Sequence, residues 1–385
     1  MTQDSWERAR RVLAAAGLPP DRLARCRPLD GGTYNTVEEL LLTDGTRHVL
    51  KVPPPRTAPG MRHERELLVS EAEFYRSAAT VDVPAPRVVA TGDRHLLMTA
   101  CPGQSWNGTL TPDEQTALRA ELGGLVARLH QVTGPGFGYP SGALGPLAPD
   151  WRTAFTTMYD VVLDDARRYR AWLPRPVDEV ARTARAAYDA LEEVTTPRLV
   201  HFDLWPGNIL VDRPEGTPRI GGLIDGERMF WGDPLADFVS LALLGDIEDD
   251  TAFLSGYRKA GGRADFDPAA RRRLALYRSY LYLIMLIETV PRAVGDDDAV
   301  WTRKVVAPQL VAALDDIGKP WSQADRRGDL VPRLRLDASS VRGDTRVQRE
   351  GRDVRQAALR LRSPWARMMS AYRCPLPFTV RRWVS

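Results

Sequence analysis

Residues 201–227 constrain this chain more than any other stretch. His201-Phe202-Asp203-Leu204-Trp205-Pro206-Gly207-Asn208 sets an ionisable pair, a rigid Pro-Gly turn and an amide within one short segment, then runs straight into apolar Ile209-Leu210-Val211. A second unit, 220–224, carries no polar side chain and ends at Asp225-Gly226-Glu227. Two apolar runs separated by a turn-rich segment predict a hairpin. Its register would bring Asn208 close to Asp225 and present Asp203 from the preceding loop. Such a trio suits phosphoryl transfer. One carboxylate can orient and deprotonate a hydroxyl, while an amide oxygen and a second carboxylate hold a hard metal ion on phosphates. Either half alone reads as an ordinary polar turn, since Asp and Gly are common there. The two halves at this spacing carry the functional reading.

The rest of the composition sets bounds. A chain of 385 residues suffices for roughly two to three domain-sized units. No apolar run is long enough for a membrane span, and the polar, partly acidic start does not read as a signal peptide. Cys26, Cys101 and Cys374 are too widely spaced for a metal-ligand pattern, which fits a reducing cytoplasm. The net charge of +3 hides an asymmetry: residues 331–385 hold 13 Arg against 4 acidic residues, so the preceding 330 carry −6. That basic segment, with an uneven helical pattern over 346–372, lacks the interleaved aromatics of a nucleic-acid groove, and no nucleic-acid partner is expected. Arginine dominates the cations, with lysine only at 51, 259, 304 and 319.

Upstream, 5–16 has helix composition with Ser5 as a possible cap. Leu29 to Thr36 is a Gly-containing loop ahead of a strand at 37–42, Asp44-Gly45 turns the chain, and His48 to Val52 reads as the next strand. Gly31 and Gly32 at the hairpin tip would let backbone N–H groups approach phosphate oxygens. Lys51 lies in an apolar strand, where an amine needs a partner. A nucleotide phosphate and one of the carboxylates at 64, 66, 71 or 73, on a predicted helix over 62–80, would serve. Strands at 87–90 and 94–99 lead to Ala100-Cys101-Pro102-Gly103, read as a hinge. Beyond it the pattern is helical: 111–131 with a Thr111–Glu114 capping box, then 151–173, 177–194, 238–244, 253–260, 268–289 and 297–317. Residues 231–237 read as a loop, and the apolar, aromatic 277–287 as a core helix.

With these residues in place, the chain resembles the aminoglycoside phosphotransferase-like family, relatives of choline kinase and the eukaryotic protein kinases. The match runs from about residue 25 to 320. It rests on His201 to Asn208, on Ile224-Asp225-Gly226-Glu227 and on Gly232-Asp233-Pro234-Leu235-Ala236-Asp237 in that order, with Leu125 to His130 resembling the first helix of the large lobe. The resemblance implies an α+β fold of two lobes: a small antiparallel-sheet N-lobe (1–99), a hinge (100–103) and a larger helical C-lobe (104–330), followed by a basic extension (331–385). It implies ATP and Mg²⁺ as cofactors. Asp203 would be the catalytic base, Asn208 and Asp225 the metal ligands, and Lys51 the clamp on the inner phosphates, with Glu71 its best-matching partner and Glu64 the alternative. Gly31, Gly32, Thr33 and Asn35 would line the phosphates, and Met98, Thr99 and Cys101 the adenine. His201, Asp233 and Asp237 would brace the loops. Two departures stand out: the nucleotide loop is not the protein-kinase glycine pattern, and Gly226-Glu227 follows Asp225 where an aromatic is common.

The acceptor is expected to be a small molecule with a hydroxyl, bound in the larger lobe. Wall residues would come from Asp160, Asp164, Asp165, Trp205, Glu227, Phe230, Trp231 and Tyr280. Acidic residues would suit a cationic amino-sugar and aromatics a choline-like cation. An antibiotic or related secondary metabolite is the first expectation. A housekeeping metabolite kinase is the alternative, and a non-catalytic nucleotide-binding regulator a third reading, which the intact Asp203, Asn208, Asp225 and Lys51 oppose. The oligomeric state is not legible.

Overall fold

The computed structural model describes residues 3–29, 34–106 and 110–319. The loop positions Gly31, Gly32 and Thr33 and the basic segment 331–385 lie outside them. The chain opens with helix α1 (Gln3–Ala15) and strands β1 (Leu23–Pro28), β2 (Thr36–Leu42) and β3 (Arg47–Val52). Helix α2 (Leu67–Ala79), β4 (Val88–Gly92) and β5 (His95–Thr99) complete an antiparallel sheet in the order β1-β2-β3-β5-β4. The alternation of strand side chains sorts its two faces. Leu40, Leu50 and Leu97 join Ala9 and Leu13 of α1 in one small core. Leu96 and Met98 turn the other way, into the core shared with Phe74 and Tyr75 of α2. Lys51 follows Leu50, so its side chain leaves the α1 face and enters the cleft side; a one-residue slip in register would reverse this.

After β5, β6 (Gln104–Ser105) and α3 (Pro112–Leu129) open a mostly helical lobe, followed by α4 (Trp151–Tyr169), α5 (Val177–Arg185) and β7 (Arg198–Val200). Next come β8 (Ile209–Asp212), β9 (Arg219–Leu223), β10 (Phe230–Gly232), α6 (Asp237–Leu241), α7 (Thr251–Lys259), α8 (Pro268–Ile287) and α9 (Asp296–Gly318). The predicted capping box is formed: Glu114 N–H donates to Thr111, and Thr111 N–H to the Glu114 carboxylate. Helix α8 is core, with Tyr277 and Tyr280 fully buried. Helices α3 and α7 approach so closely that a Cβ on Gly256 would lie 1.9 Å from the Ala120 carbonyl oxygen. Among the described residues, no helix is long and apolar enough to cross a membrane.

Three sequence expectations are corrected. The helix expected over 62–80 is a short 3₁₀ turn at Arg62–Glu64, a left-handed Glu66 (φ 60°) and then α2. The break lets Glu64 turn inward onto Met61 N–H, at 2.8 Å, while α2 delivers Glu71 elsewhere. The helix expected over 177–194 divides into α5 and a 3₁₀ segment, Tyr188–Glu193, and Arg273 ties that segment to α8 by donating to the Ala190 carbonyl. The start of the 231–237 loop belongs to strand β10, which pairs with β7.

Candidate active site

The predicted hairpin is β8 on β9, with Ile209 opposite Leu223 and β6 added at the outer edge. Ile224 N–H donates to the Asn208 carbonyl at 2.9 Å, which fixes the approach of Asn208 to Asp225. The loop ahead of it is held by a buried carboxylate. Asp237 accepts from the N–H groups of His201 (3.2 Å) and Phe202 (2.6 Å) and touches His130 Nε2 at 2.9 Å. Phe202 is thereby kept at φ 64°, a conformation a bulky residue adopts only when its surroundings impose it. The inversion sends the Phe202 ring into the core against Phe230 and Tyr280 and turns Asp203 toward Asn208 and Arg228. His201 braces the turn. Its Nδ1 accepts from Asp203 N–H, so its Nε2 carries the proton donated to the Ile224 carbonyl. Burial, opposed by Asp237, lowers its pKa and keeps it neutral. The ring of Trp205 lies over Gly207, where a Cβ would come within 1.9 Å of it.

Asn208 Nδ2 donates to both the Asp203 carbonyl (2.9 Å) and Oδ2 (3.1 Å). The second carboxylate oxygen, Oδ1, is buried without a hydrogen-bond partner. Burial raises the Asp203 pKa to about 7, against the opposing pull of Arg228. A carboxylate so placed has one oxygen positioned by the protein and one left for a ligand hydroxyl.

Across the cleft, Lys51 donates to Glu71 at 2.7 Å and contacts Asp225 as well, with Glu227 3.8 Å away. Glu64, the alternative partner, belongs instead to Arg292. Burial works against the Lys51 charge, but Asp225, Glu71 and Glu227 outweigh it and hold its pKa well above the ordinary value. Tyr75, which the sequence reading missed, ties the halves together: its hydroxyl donates to Glu71 at 2.6 Å and accepts from Asp225 N–H at 3.0 Å. Gly226 permits this closeness, since a Cβ there would fall 2.4 Å from the Phe74 ring. Carboxylate oxygens of Glu71, Asp225 and Glu227 lie within 4.8 Å of one another, an all-oxygen set suited to a hard divalent cation. Asn35 donates to Glu227 Oε2 at 2.6 Å, joining the residues just before β2 to the segment after Asp225. Burial and the nearby Asp225 raise the Glu227 pKa to about 8.

Several expected residues sit elsewhere. Glu227 was expected on the acceptor wall and belongs to the Lys51 cluster. Trp231 is 3% exposed, in strand β10, with its ring against Gly134. Phe230 and Tyr280 are fully buried, Tyr280 in a hydroxyl pair with Tyr139. None of these three can line an open pocket. Asp165 is buried and accepts from Arg62 N–H and Nε, clamping the segment after β3 to α4. Asp164 pairs with Arg62 and Arg167. Asp160 stands exposed on α4, where its charge bears on Tyr188. Of the adenine-side trio, Met98 is buried in the core, the Thr99 hydroxyl accepts from Arg87 N–H, and Cys101 packs against Gly222. In place of an acidic wall, Asp203 has an alternating chain of charges beside it: Arg228, Glu288, Arg292 and Glu64. The sequence signal was present but unread, as an arginine directly after Glu227 and an i,i+4 Glu–Arg pair just after the apolar run that ends α8.

The sequence model of the phosphotransferase enzyme family matches residues 25–277. A probable ketoamine kinase of Lactiplantibacillus plantarum is 29% identical over 285 residues, covering 70% of this chain and 91% of its own length. Among solved structures, a candidate fructosamine-3-kinase of Thermobifida fusca superposes with a TM-score of 0.57 at 22% identity, covering 80% of this chain and 98% of the other. A thermostable mutant of the aminoglycoside phosphotransferase APH(4)-Ia, in complex with AMP-PNP and hygromycin B, does so with a TM-score of 0.54 at 18% identity, covering 80% and 98%. These structural likenesses establish the two-lobed kinase-like fold.

Proposed function

The chain belongs to the phosphotransferase enzyme family, and on that premise we propose that it transfers the γ-phosphoryl group of ATP to a hydroxyl of a sugar-derived metabolite of ketoamine type. The observation that carries the reaction is the pairing of Asp203, with its buried free Oδ1, with the Lys51–Glu71–Asp225 cluster on the opposite side of the cleft. Asp203 holds the acceptor hydroxyl and takes its proton as the new bond to phosphorus forms. A carboxyl raised to about 7 by burial is matched to that task near neutral pH. In a loose transition state, positioning and charge neutralisation contribute most, and Lys51, kept cationic by its carboxylates, supplies charge on the nucleotide side. Asn208 and Asp225 are the residues that would hold Mg²⁺, with the Glu227 carboxylate close to Asp225, and the ion would supply charge neutralisation on the phosphates. Cytoplasmic ATP supply and the absence of a paired-cysteine pattern support a cytoplasmic setting.

Two findings favour the metabolite acceptor. The ketoamine kinase relative is matched over nearly its whole length. Of the acidic residues that would suit a cationic amino-sugar, Asp164 and Asp165 are engaged by arginines and the charge of Asp160 bears on Tyr188. The test measures ADP release with Mg·ATP and either the ketoamine of glucose and glycine or a panel of aminoglycosides and macrolides. Release with the ketoamine, abolished by Asp203→Asn, is expected. Turnover confined to an antibiotic would replace this acceptor with the one first expected from the sequence.

A further inference from the structure

Arg228 stands three residues beyond Asp225 and is 6% exposed, unusual for a guanidinium. Its three nitrogens have different surroundings. Nε lies 3.9 Å from Asp203 Oδ2. Nη2 donates to Glu288 Oε2 at 2.7 Å, and Arg292 grips the same carboxylate oxygen at 3.1 Å. Nη1 is buried with no hydrogen-bond partner. The neighbouring Asp203 Oδ1 is also buried and unpartnered. Buried polar groups are nearly always satisfied, and exceptions concentrate where a ligand or catalytic step completes them. Here an orphan acceptor and an orphan donor stand on adjacent side chains, the acceptor on the residue that receives the hydroxyl. Glu288 has two arginines to satisfy it, so it can fix the plane of Arg228 without consuming the third nitrogen. Lys51 cannot take this part, because it is committed to Glu71 and Asp225.

Resting on the phosphotransfer reading above, we propose that Arg228 is a catalytic residue. It donates through Nη1 to a non-bridging oxygen of the phosphoryl group in flight. In that step the acceptor oxygen forms its bond to phosphorus, and its proton passes to the Asp203 carboxylate. The bond from phosphorus to the oxygen shared with the β-phosphate breaks, its electron pair leaving on ADP. Arg228 exchanges no proton and acts by a charge-assisted hydrogen bond that strengthens as charge gathers on the phosphoryl oxygens. Glu288 is the positioning residue that holds it.

Water can replace the acceptor, so the test needs no knowledge of the acceptor. Acceptor-independent Mg·ATP hydrolysis is measured on the full chain for wild type, Arg228→Gln, Arg228→Lys and Glu288→Gln. Binding of a fluorescent ATP analogue and thermal melting are followed in parallel. Arg228→Gln is expected to lose hydrolysis by about a hundredfold or more, as when one transition-state donor is removed, with the analogue's Kd within about threefold of wild type. Arg228→Lys, which keeps the charge but not the fork, should recover part of that loss. Glu288→Gln should fall between them. Arg228→Gln or Arg228→Lys hydrolysing within about threefold of wild type overturns the proposal, and if Arg228→Gln does not fold, Arg228→Lys alone decides. So does hydrolysis that survives while transfer to the ketoamine is lost, because Arg228 would then serve the acceptor. A wild-type protein that turns over no ATP refutes the phosphotransfer reading itself, and this proposal with it.

Discussion

Replacing Asp203 by Asn should separate function from stability in opposite directions. The amide is isosteric, and its oxygen can keep the hydrogen bond from Asn208 Nδ2, which now reaches Oδ2 at 3.1 Å. What is lost is the acceptor for the hydroxyl proton, a change worth about 10²–10⁴ in turnover. At 1.36 kcal/mol per decade this is about 3–5 kcal/mol of transition-state stabilisation. Nucleotide affinity should hold, because Lys51, Glu71 and Asp225 are untouched. The stability effect follows from the carboxyl's own position. Its pKa is raised from an ordinary 3.8 to about 7, chiefly by burial. An acid whose folded value lies above its unfolded one costs stability once the unfolded chain ionises, and the full cost is reached above the folded value. The difference corresponds to about 4 kcal/mol at pH 8, falling to about 2 at pH 5 and vanishing below about pH 4. Asp203→Asn should therefore raise the urea midpoint of the metal-free, nucleotide-free protein at pH 8, and the gain should shrink as the pH falls. Turnover within tenfold of wild type would sink the assignment of the base. A variant less stable than wild type at pH 8, though active-site binding is normal, would refute the burial reasoning.

Lys51→Met should leave Glu71, Asp225 and Glu227 facing one another without a cation; breaking a buried pair this way costs about 3–5 kcal/mol, and both the melting temperature and nucleotide affinity should fall. Glu64 is governed by the opposite sign. Burial alone would raise its pKa, but Arg292, His63 and Arg228 prevail and hold it at about 2. The corresponding stabilisation of about 3 kcal/mol is present above the unfolded value near 4.5 and lost as the pH falls toward 2. Urea titrations of wild type and Glu64→Gln should thus differ at pH 7 and converge near pH 2; parallel curves at all pH values would contradict this. Gly256→Ala should force apart the α3–α7 contact, where the new Cβ would meet the backbone of Ala120, and cost about 1–3 kcal/mol or more in chemical denaturation, with little change in nucleotide affinity.

The parts legible beforehand were those written locally. The β8–β9 hairpin, the Thr111 cap, the aromatic core helix and the isolation of Lys51 in an apolar strand all follow from periodicities and turn chemistry that act over a few residues. The break at Glu66 and the strand β10 were not legible, because each answers to a distant partner. Glu64 must reach Arg292, and Phe230 to Gly232 must find Arg198 to Val200. Residue type also misled where burial decides the role. An aspartate on a helix reads as a possible wall charge, yet Asp165 is consumed by Arg62. A tryptophan shortly after Asp225 reads as a wall residue of the acceptor site, yet Trp231 fills the core.

By itself, then, the sequence determined the reaction class and singled out the candidates for its centre: Asp203, Asn208, Asp225 and Lys51 are carried on a strand-turn framework that local hydrogen bonding and side-chain alternation specify. Tertiary structure alone decided which groups share a dielectric. Folding removes Asp203, Glu227 and Arg228 from water together, raises two of the carboxyls, pairs the guanidinium with Glu288, and leaves one donor and one acceptor unmet side by side. Those properties depend on distances between residues such as Arg228 and Glu288, 60 positions apart, or Asn35 and Glu227, 192 apart, and on the exclusion of solvent from between them, neither of which a local pattern contains.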